Sequence, residues 1–231
     1  MQKKIFLGIN IFIIIGVFIC NFFYQMTGFG LLLKSVCSVG FAILGIINLA
    51  YAFMTKQKNI KFFIFMSSGL MLAMAGDIAI AFNFIIGAAI FALGHVCYFV
   101  AYLMYRKFDK LDAILTGAIA IFSVLFLVFF PLLDFGGLLM KIVCIIYAIM
   151  ISAMVGKSIG NAIAYKNVVS IIIAVGSILF YVSDFMLVFD RFSNAGMWSS
   201  YLCMAAYYPA NCALAFSMLM YIFTEKEEQL F

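Results

Sequence analysis

Three ionisable side chains, Asp77, His95 and Asp184, each lie deep inside a long apolar run of this chain. Two carboxylates with a histidine suit general acid–base chemistry. Burial disfavours the charged form of a carboxyl, and a second carboxylate nearby disfavours it further. One member of such a pair can carry a proton as the acid while the other serves as base. The same groups suit a proton-coupled transporter, so the trio alone leaves both readings open. Other chemistries fall away. A zinc hydrolase needs several N, O or S ligands, and here there is one histidine and no CxxC spacing among the six cysteines. Those cysteines read as small apolar packing residues, and no metal is expected. No GxSxG motif supports a serine nucleophile elbow.

Polar company is available in neighbouring runs: Tyr98, Tyr147, Ser183, Tyr207, Tyr208 and Asn211, with Lys34 near the start of another. Helical phase gathers these residues. Gly87, Phe91, His95, Tyr98 and Tyr102 recur at three- and four-residue spacings, one stripe of a helix. Gly176, Phe180, Ser183 or Asp184, and Leu187 form a second stripe. Gly69, Ala73 and Gly76 or Asp77 form a third, small enough for a neighbouring helix to approach closely. Pro209 removes a backbone hydrogen bond beside Tyr207, Tyr208 and Asn211. Asp77-Ile-Ala-Ile-Ala-Phe82 and Asp184-Phe-Met-Leu-Val-Phe189 share Asp-x4-Phe, as a parallel four-plus-four duplication would leave them.

The elements that must position these groups follow from composition. The chain has 231 residues, 68% apolar and 10% charged, with two prolines. A soluble domain is only about half apolar. A soluble enzyme, a disordered chain and a nucleic-acid-binding domain are excluded. What remains is an all-α polytopic bundle of about eight transmembrane helices, near 5–23, 31–54, 62–83, 85–105, 113–131, 138–156, 168–189 and 199–223. The first run, after Lys3 and Lys4, is too long for a signal peptide and lacks a small-x-small cleavage site. No linker interrupts residues 1–231, which read as one integral-membrane domain, with a solvated tail from Glu225 to Phe231.

The net charge of +5 is topological. With a cytoplasmic N-terminus, the inner side holds Lys3, Lys4, Lys56, Lys58, Lys61, Arg106, Lys107, Lys110, Lys157, Lys166 and Lys226, and the outer loops hold Arg191 alone. That bias predicts both termini in the cytoplasm. Lys141 and Lys34 read as snorkelling to the outer interface, and Asp190 and Arg191 as a pair in a loop. By depth, Asp77, His95, Asp184, Lys34 and Asn211 gather between the midplane and the outer face, which predicts a shared cavity.

Four motifs in order carry a resemblance: Gly76-Asp77; Gly87-x3-Phe91-x3-His95-x2-Tyr98; Gly176-x3-Phe180-x2-Ser183-Asp184-x2-Leu187; and Tyr207-Tyr208-x2-Asn211. From its second span onward the chain resembles the YhhN family, whose animal members are lysoplasmalogenases. It departs from the family at Lys34-Ser35, where Lys-Pro is frequent, and at Asn211, where Gln is frequent. The resemblance implies hydrolysis of the vinyl ether bond of a lysoplasmalogen, releasing a fatty aldehyde and a glycerophospho-base. It implies Asp77 and Asp184 as the acid–base pair, with His95 positioning water or the acid. Tyr98, Ser183, Tyr207, Tyr208 and Asn211 would bind the polar part of the substrate, Lys34 its phosphate, and apolar side chains its hydrocarbon chain. This scheme needs no metal or organic cofactor. The implied partners are a lysophospholipid and the bilayer, and the Ile-, Phe-, Lys- and Met-rich usage fits a bacterial cytoplasmic membrane. A small proton-coupled transporter or lipid-binding protein would use the same aspartates.

Overall fold

In the computed structural model, which describes residues 2–27 and 30–228, every regular element is an α-helix. Eight occur among the described residues: α1 (Gln2–Thr27), α2 (Gly30–Met54), α3 (Ile60–Ala79), α4 (Phe84–Tyr105), α5 (Lys110–Phe129), α6 (Leu138–Tyr165), α7 (Val168–Phe192) and α8 (Met197–Glu228). The shortest have 20 residues. At about 1.5 Å per residue that is about 30 Å, the thickness of a bilayer's hydrocarbon core. All eight are long and apolar enough to cross a membrane, so this is an integral multi-pass membrane protein. Helices satisfy their own backbone groups, which hydrocarbon cannot do for them.

Most helix ends fall near the predicted spans, with informative exceptions. The third span was expected to reach 83, yet α3 stops at Ala79 because Asn83 caps α4 instead. Its side chain accepts a hydrogen bond from the Ile86 amide at 3.1 Å. Asp190 and Arg191 belong to the last turn of α7, not to a loop, with Arg191 Nε 4.0 Å from Asp190 Oδ2. Helix α8 continues to Glu228, so the predicted tail is helical up to there, and its last three residues lie outside the described ones.

Helix α8 forms the centre, packing against α1, α2, α3 and α7. Its membrane window is 67% buried, against 17% for α1 and for α5, and it is also the least apolar of the eight. The two facts have one cause: a helix that mostly faces lipid must be apolar over most of its surface, whereas a central helix can carry more polar groups that its neighbours satisfy. Asn48 shows the device, exchanging two 2.9 Å amide hydrogen bonds with Asn10 and donating to the Ala215 carbonyl at 2.8 Å. One asparagine thereby joins α1, α2 and α8.

The largest departure from the predicted spans is at α6. Gly156 was expected to end this helix because Lys157 is charged, but the helix runs on to Tyr165. Lys157 is fully buried there, and its ammonium donates to Asp112 Oδ2 at 2.7 Å and to the Lys107 carbonyl at 2.9 Å. Asp112, also fully buried, pairs with Arg106 through its other oxygen. Arg106 Nε donates to Asn161 at 2.9 Å. Asp109 and Asp112 cap α5 reciprocally, each accepting the other's amide at 3.0 Å. The Arg106 guanidinium also hydrogen-bonds the exposed Asp109 carboxyl and holds it below the usual carboxylate range. Lys157 therefore ties the α4–α5 connection to α6.

Helices α3 and α4 pack backbone to backbone along the predicted small-residue stripes. The Tyr98 ring lies over Gly69, and Phe91 lies over Gly76. A Cβ on Gly87 would sit 2.6 Å from the Cα and N of Ile80, main-chain atoms that no rotamer change can move. Gly87→Ala is expected to lower stability by about 1–3 kcal/mol, as overpacking does. Thermal unfolding in detergent measures the loss, and an unchanged midpoint would contradict this packing.

Candidate functional site

Asp77, near the C-terminal end of α3, is 3% exposed and held from two other helices. From α2, Lys34 places its ammonium 2.9 Å from Oδ1 and donates to the Asp77 carbonyl at 3.1 Å. Ser38, one turn further along α2, donates to Oδ2 at 2.5 Å. The Tyr208 hydroxyl of α8 lies 3.3 Å from Oδ2 and 3.2 Å from the Lys34 carbonyl. A buried carboxylate needs a counter-charge and donors for its lone pairs. Asp77 has both.

Asp184, on α7, is 8% exposed and differently supported. The Tyr147 hydroxyl of α6 donates to its Oδ2 at 2.6 Å. His95 of α4 lies at the same point, with Nε2 2.7 Å from the Tyr147 oxygen and 3.3 Å from Asp184 Oδ2. Phe180 packs edge-on against the imidazole at 4.8 Å. A tyrosine has one proton to donate. With Asp184 ionised, that proton goes to the carboxylate, and Nε2–H donates to the phenol oxygen. With Asp184 protonated, the carboxyl donates to the phenol, and the phenol donates to Nε2. The three groups thus form a relay whose hydrogen bonds reverse direction when a proton crosses from acid to imidazole.

The two aspartates face one cavity of about 80 Å³, lined also by Lys34, Ser183, Tyr207, Tyr24, Asp190 and Arg191. It is polar and has room for water. A second chamber of about 60 Å³ lies between α4, α5, α6 and α7 and is lined almost wholly by apolar side chains. Ile80, Phe91, Asp184 and Leu187 belong to both. Asp184 therefore stands where a polar space meets an apolar one.

The remaining predicted residues take other places. Tyr98 and Asn211 are fully buried behind the cavity wall, bonded to each other at 3.3 Å, and Asn211 also donates to the Tyr207 carbonyl at 3.0 Å. Tyr207 reaches the cavity edge while its hydroxyl donates to the Ala73 carbonyl at 2.9 Å. Tyr208 reaches the site through Asp77 and the Lys34 carbonyl. Pairwise bonding explains this arrangement: these groups bond one another across α4, α8 and α3 rather than facing the cavity.

Sequence reasoning missed three contributors. Tyr147 was visible only as an intramembrane tyrosine, and nothing in its spacing pairs it with His95 or Asp184. Ser38 carried a usable signal, since it is one helical turn from Lys34. Arg191, assigned to a loop pair, borders the polar cavity. Among the described residues, no three His, Cys, Asp or Glu side chains converge as metal ligands.

The fold and site define a class: an eight-helix membrane protein with a buried acidic site open to both a polar and an apolar space. The chain belongs to the YhhN family, whose model matches residues 37–218. The match covers Asp77, His95, Tyr147 and Asp184 and begins just after Lys34. No curated protein and no solved structure matches the chain.

Proposed function

We propose that this protein is a membrane hydrolase that cleaves the vinyl ether bond of a lysoplasmalogen, yielding a fatty aldehyde and a glycerophospho-base. The observation that carries this reading is the position of Asp184 at the junction of the two cavities, because a vinyl ether joins a polar glycerol to an apolar chain at just such a boundary. Family membership supports it at the level of the family.

In this reading Asp184 is the acid. Its Oδ2 is occupied by Tyr147 and His95, and Oδ1 is bonded to no described residue, which leaves it for the substrate. With its proton on Oδ1 while Tyr147 donates to Oδ2, the carboxyl gives that proton to the vinyl carbon remote from oxygen, and the carbon bonded to oxygen becomes an oxocarbenium cation. Asp77, paired with Lys34 and Ser38, stabilises that cation across the polar cavity and orients a water. Water adds to the cation and gives a proton back to the Asp184 carboxylate, which restores the acid. The hemiacetal then collapses to aldehyde and alcohol. Lys34 spends two of its three ammonium protons on Asp77, and the third, with Arg191 at the cavity edge, would meet the phosphate. If the termini are cytoplasmic, as the basic residues predict, the headgroup faces outward.

The test is aldehyde release from a lysoplasmalogen by purified protein in detergent. The parent should turn over, and Tyr147→Phe should be slower by about 10–100-fold, the worth of a hydrogen bond to a charged group. A folded parent that releases no aldehyde from any headgroup, yet moves protons or lipid in vesicles, would favour the transport reading instead.

A further inference from the structure

The tyrosines expected to bind the polar end of a ligand are engaged elsewhere: Tyr98 with Asn211, Tyr207 with the Ala73 carbonyl and Tyr208 with Asp77. Tyr24 of α1 is not. It lines the polar cavity, and among the described residues its hydroxyl has no hydrogen-bond partner. We propose that Tyr24 determines specificity by donating this hydrogen bond to the free secondary hydroxyl of the substrate's glycerol. The inference rests on the functional reading for the identity of the ligand. It gives a role to a helix that lies wholly before the family-matched segment.

Three observations carry it. The first is the register of α1. Its buried residues are Asn10, Val17 and Asn21, all on one face of the helix, and Tyr24 follows three positions later on that face. Polar contacts fix this face. Asn10 exchanges amide hydrogen bonds with Asn48 at 2.9 Å, and Asn21 donates to the Met204 carbonyl of α8 at 3.4 Å. Met204 itself lines the polar cavity, so the contact that holds Asn21 sets Tyr24 at the cavity edge.

The second is the charge around the phenol. The carboxylates of Asp77 and Asp190 are near enough to Tyr24 to act on its hydroxyl electrostatically. A phosphate is repelled from such a place, and Lys34 and Arg191 offer it a better one. A neutral hydroxyl fits, because it accepts from the phenol and can donate to a carboxylate. The oxygens of Asp77 are taken by Lys34, Ser38 and Tyr208. Asp190 lies 4.0 Å from Arg191 Nε, beyond hydrogen-bond distance, and has an oxygen to offer.

The third is the order of groups along α7. Asp184, Leu187, Asp190 and Arg191 all line the cavity, and Arg191 stands about 10 Å beyond Asp184 along the helix axis. A lysophospholipid held between an acid at Asp184 and a phosphate site at Arg191 carries its secondary hydroxyl in between, in the space that Tyr24 lines. A two-chain lipid has an ester at that position, with no proton for Asp190 and a second chain to place in a polar cavity.

The test uses a saturated alkyl-ether lysophosphoethanolamine, which cannot be cleaved, and its analogue with hydrogen in place of the secondary hydroxyl. Competition against a fluorescent lysophospholipid in detergent gives the affinity of each for the parent and for Tyr24→Phe. The parent should prefer the hydroxyl-bearing lipid by about tenfold, and Tyr24→Phe should bind the two nearly equally. The unfolding midpoint of Tyr24→Phe should match the parent's, because the lost hydroxyl has no partner among the described residues. A parent that does not discriminate, or a variant that still does, overturns the proposal. So does a lowered midpoint, which would give the hydroxyl a part in the fold instead. Binding is read without turnover, so the two readings fail separately. Discrimination that disappears in Tyr24→Phe, with no aldehyde release by the parent, rejects the reaction and keeps the hydroxyl site. Aldehyde release by a parent that binds both lipids equally does the reverse.

Discussion

Asp184→Asn is expected to lower aldehyde release by about 10²–10⁴-fold, the usual contribution of a positioned general acid, while lysophospholipid binding persists. An asparagine amide keeps the shape of the side chain and can still accept the Tyr147 hydrogen bond, but it has no proton acidic enough for a vinyl carbon. The companion variant separates chemistry from folding. Asp77→Asn removes the counter-charge of Lys34, whose ammonium lies 2.9 Å from Oδ1 and is mostly buried. That variant should lose both turnover and thermal stability, because a buried cation is left with neutral acceptors only. Asp184→Asn should lose turnover alone, since its partners His95 and Tyr147 can be neutral. Steady-state rates and unfolding midpoints measured on the same preparations give the answer. Full activity in Asp184→Asn would remove the acid assignment and leave the family membership untouched.

A larger structural effect is expected at the opposite end of the bundle. Asp112→Ala should destabilise the protein by about 3–5 kcal/mol, the cost of breaking a buried ion pair from one side. Three consequences coincide at this residue. Lys157 keeps only the Lys107 carbonyl and the face of the Phe108 ring, Arg106 loses the more buried of its two carboxylates, and the α5 cap loses one member. Lys157→Met should cost a comparable amount. The double variant should cost less than the two singles together, because neither then strands a charge. Additive costs in a double-mutant cycle of unfolding midpoints would mean that the pair is not coupled. The basal chemistry is not expected to change, since neither residue lines either cavity.

Lys157 and Tyr147 show why parts of the molecule were hidden in the sequence. A charged residue after a long apolar run reads as the end of a span, and for Lys157 that reading failed because its partner Asp112 lies 45 positions away on another helix. Asp112 itself fell just before the fifth predicted span, which began at 113. Tyr147 stands 52 positions from His95 and 37 from Asp184, and no local spacing links them. Tyr98 and Asn211 fell on the correct helical faces, yet those faces turn toward each other and not into the cavity.

By itself the sequence determined that this chain is a bundle of membrane helices, how many there are, and that Asp77, His95 and Asp184 need a reason to be inside. These conclusions are local, because the hydrocarbon core penalises each polar residue where it stands, whatever the rest of the chain does. Tertiary structure alone decided the pairings: Lys34 and Ser38 with Asp77, Tyr147 and His95 with Asp184, Lys157 with Asp112. It also decided that a polar and an apolar space meet at Asp184. Partner choice depends on the rotation and neighbour of each helix, and those are set by how small residues and rings interlock across the bundle, as Gly69 does with Tyr98 and Gly87 with Ile80.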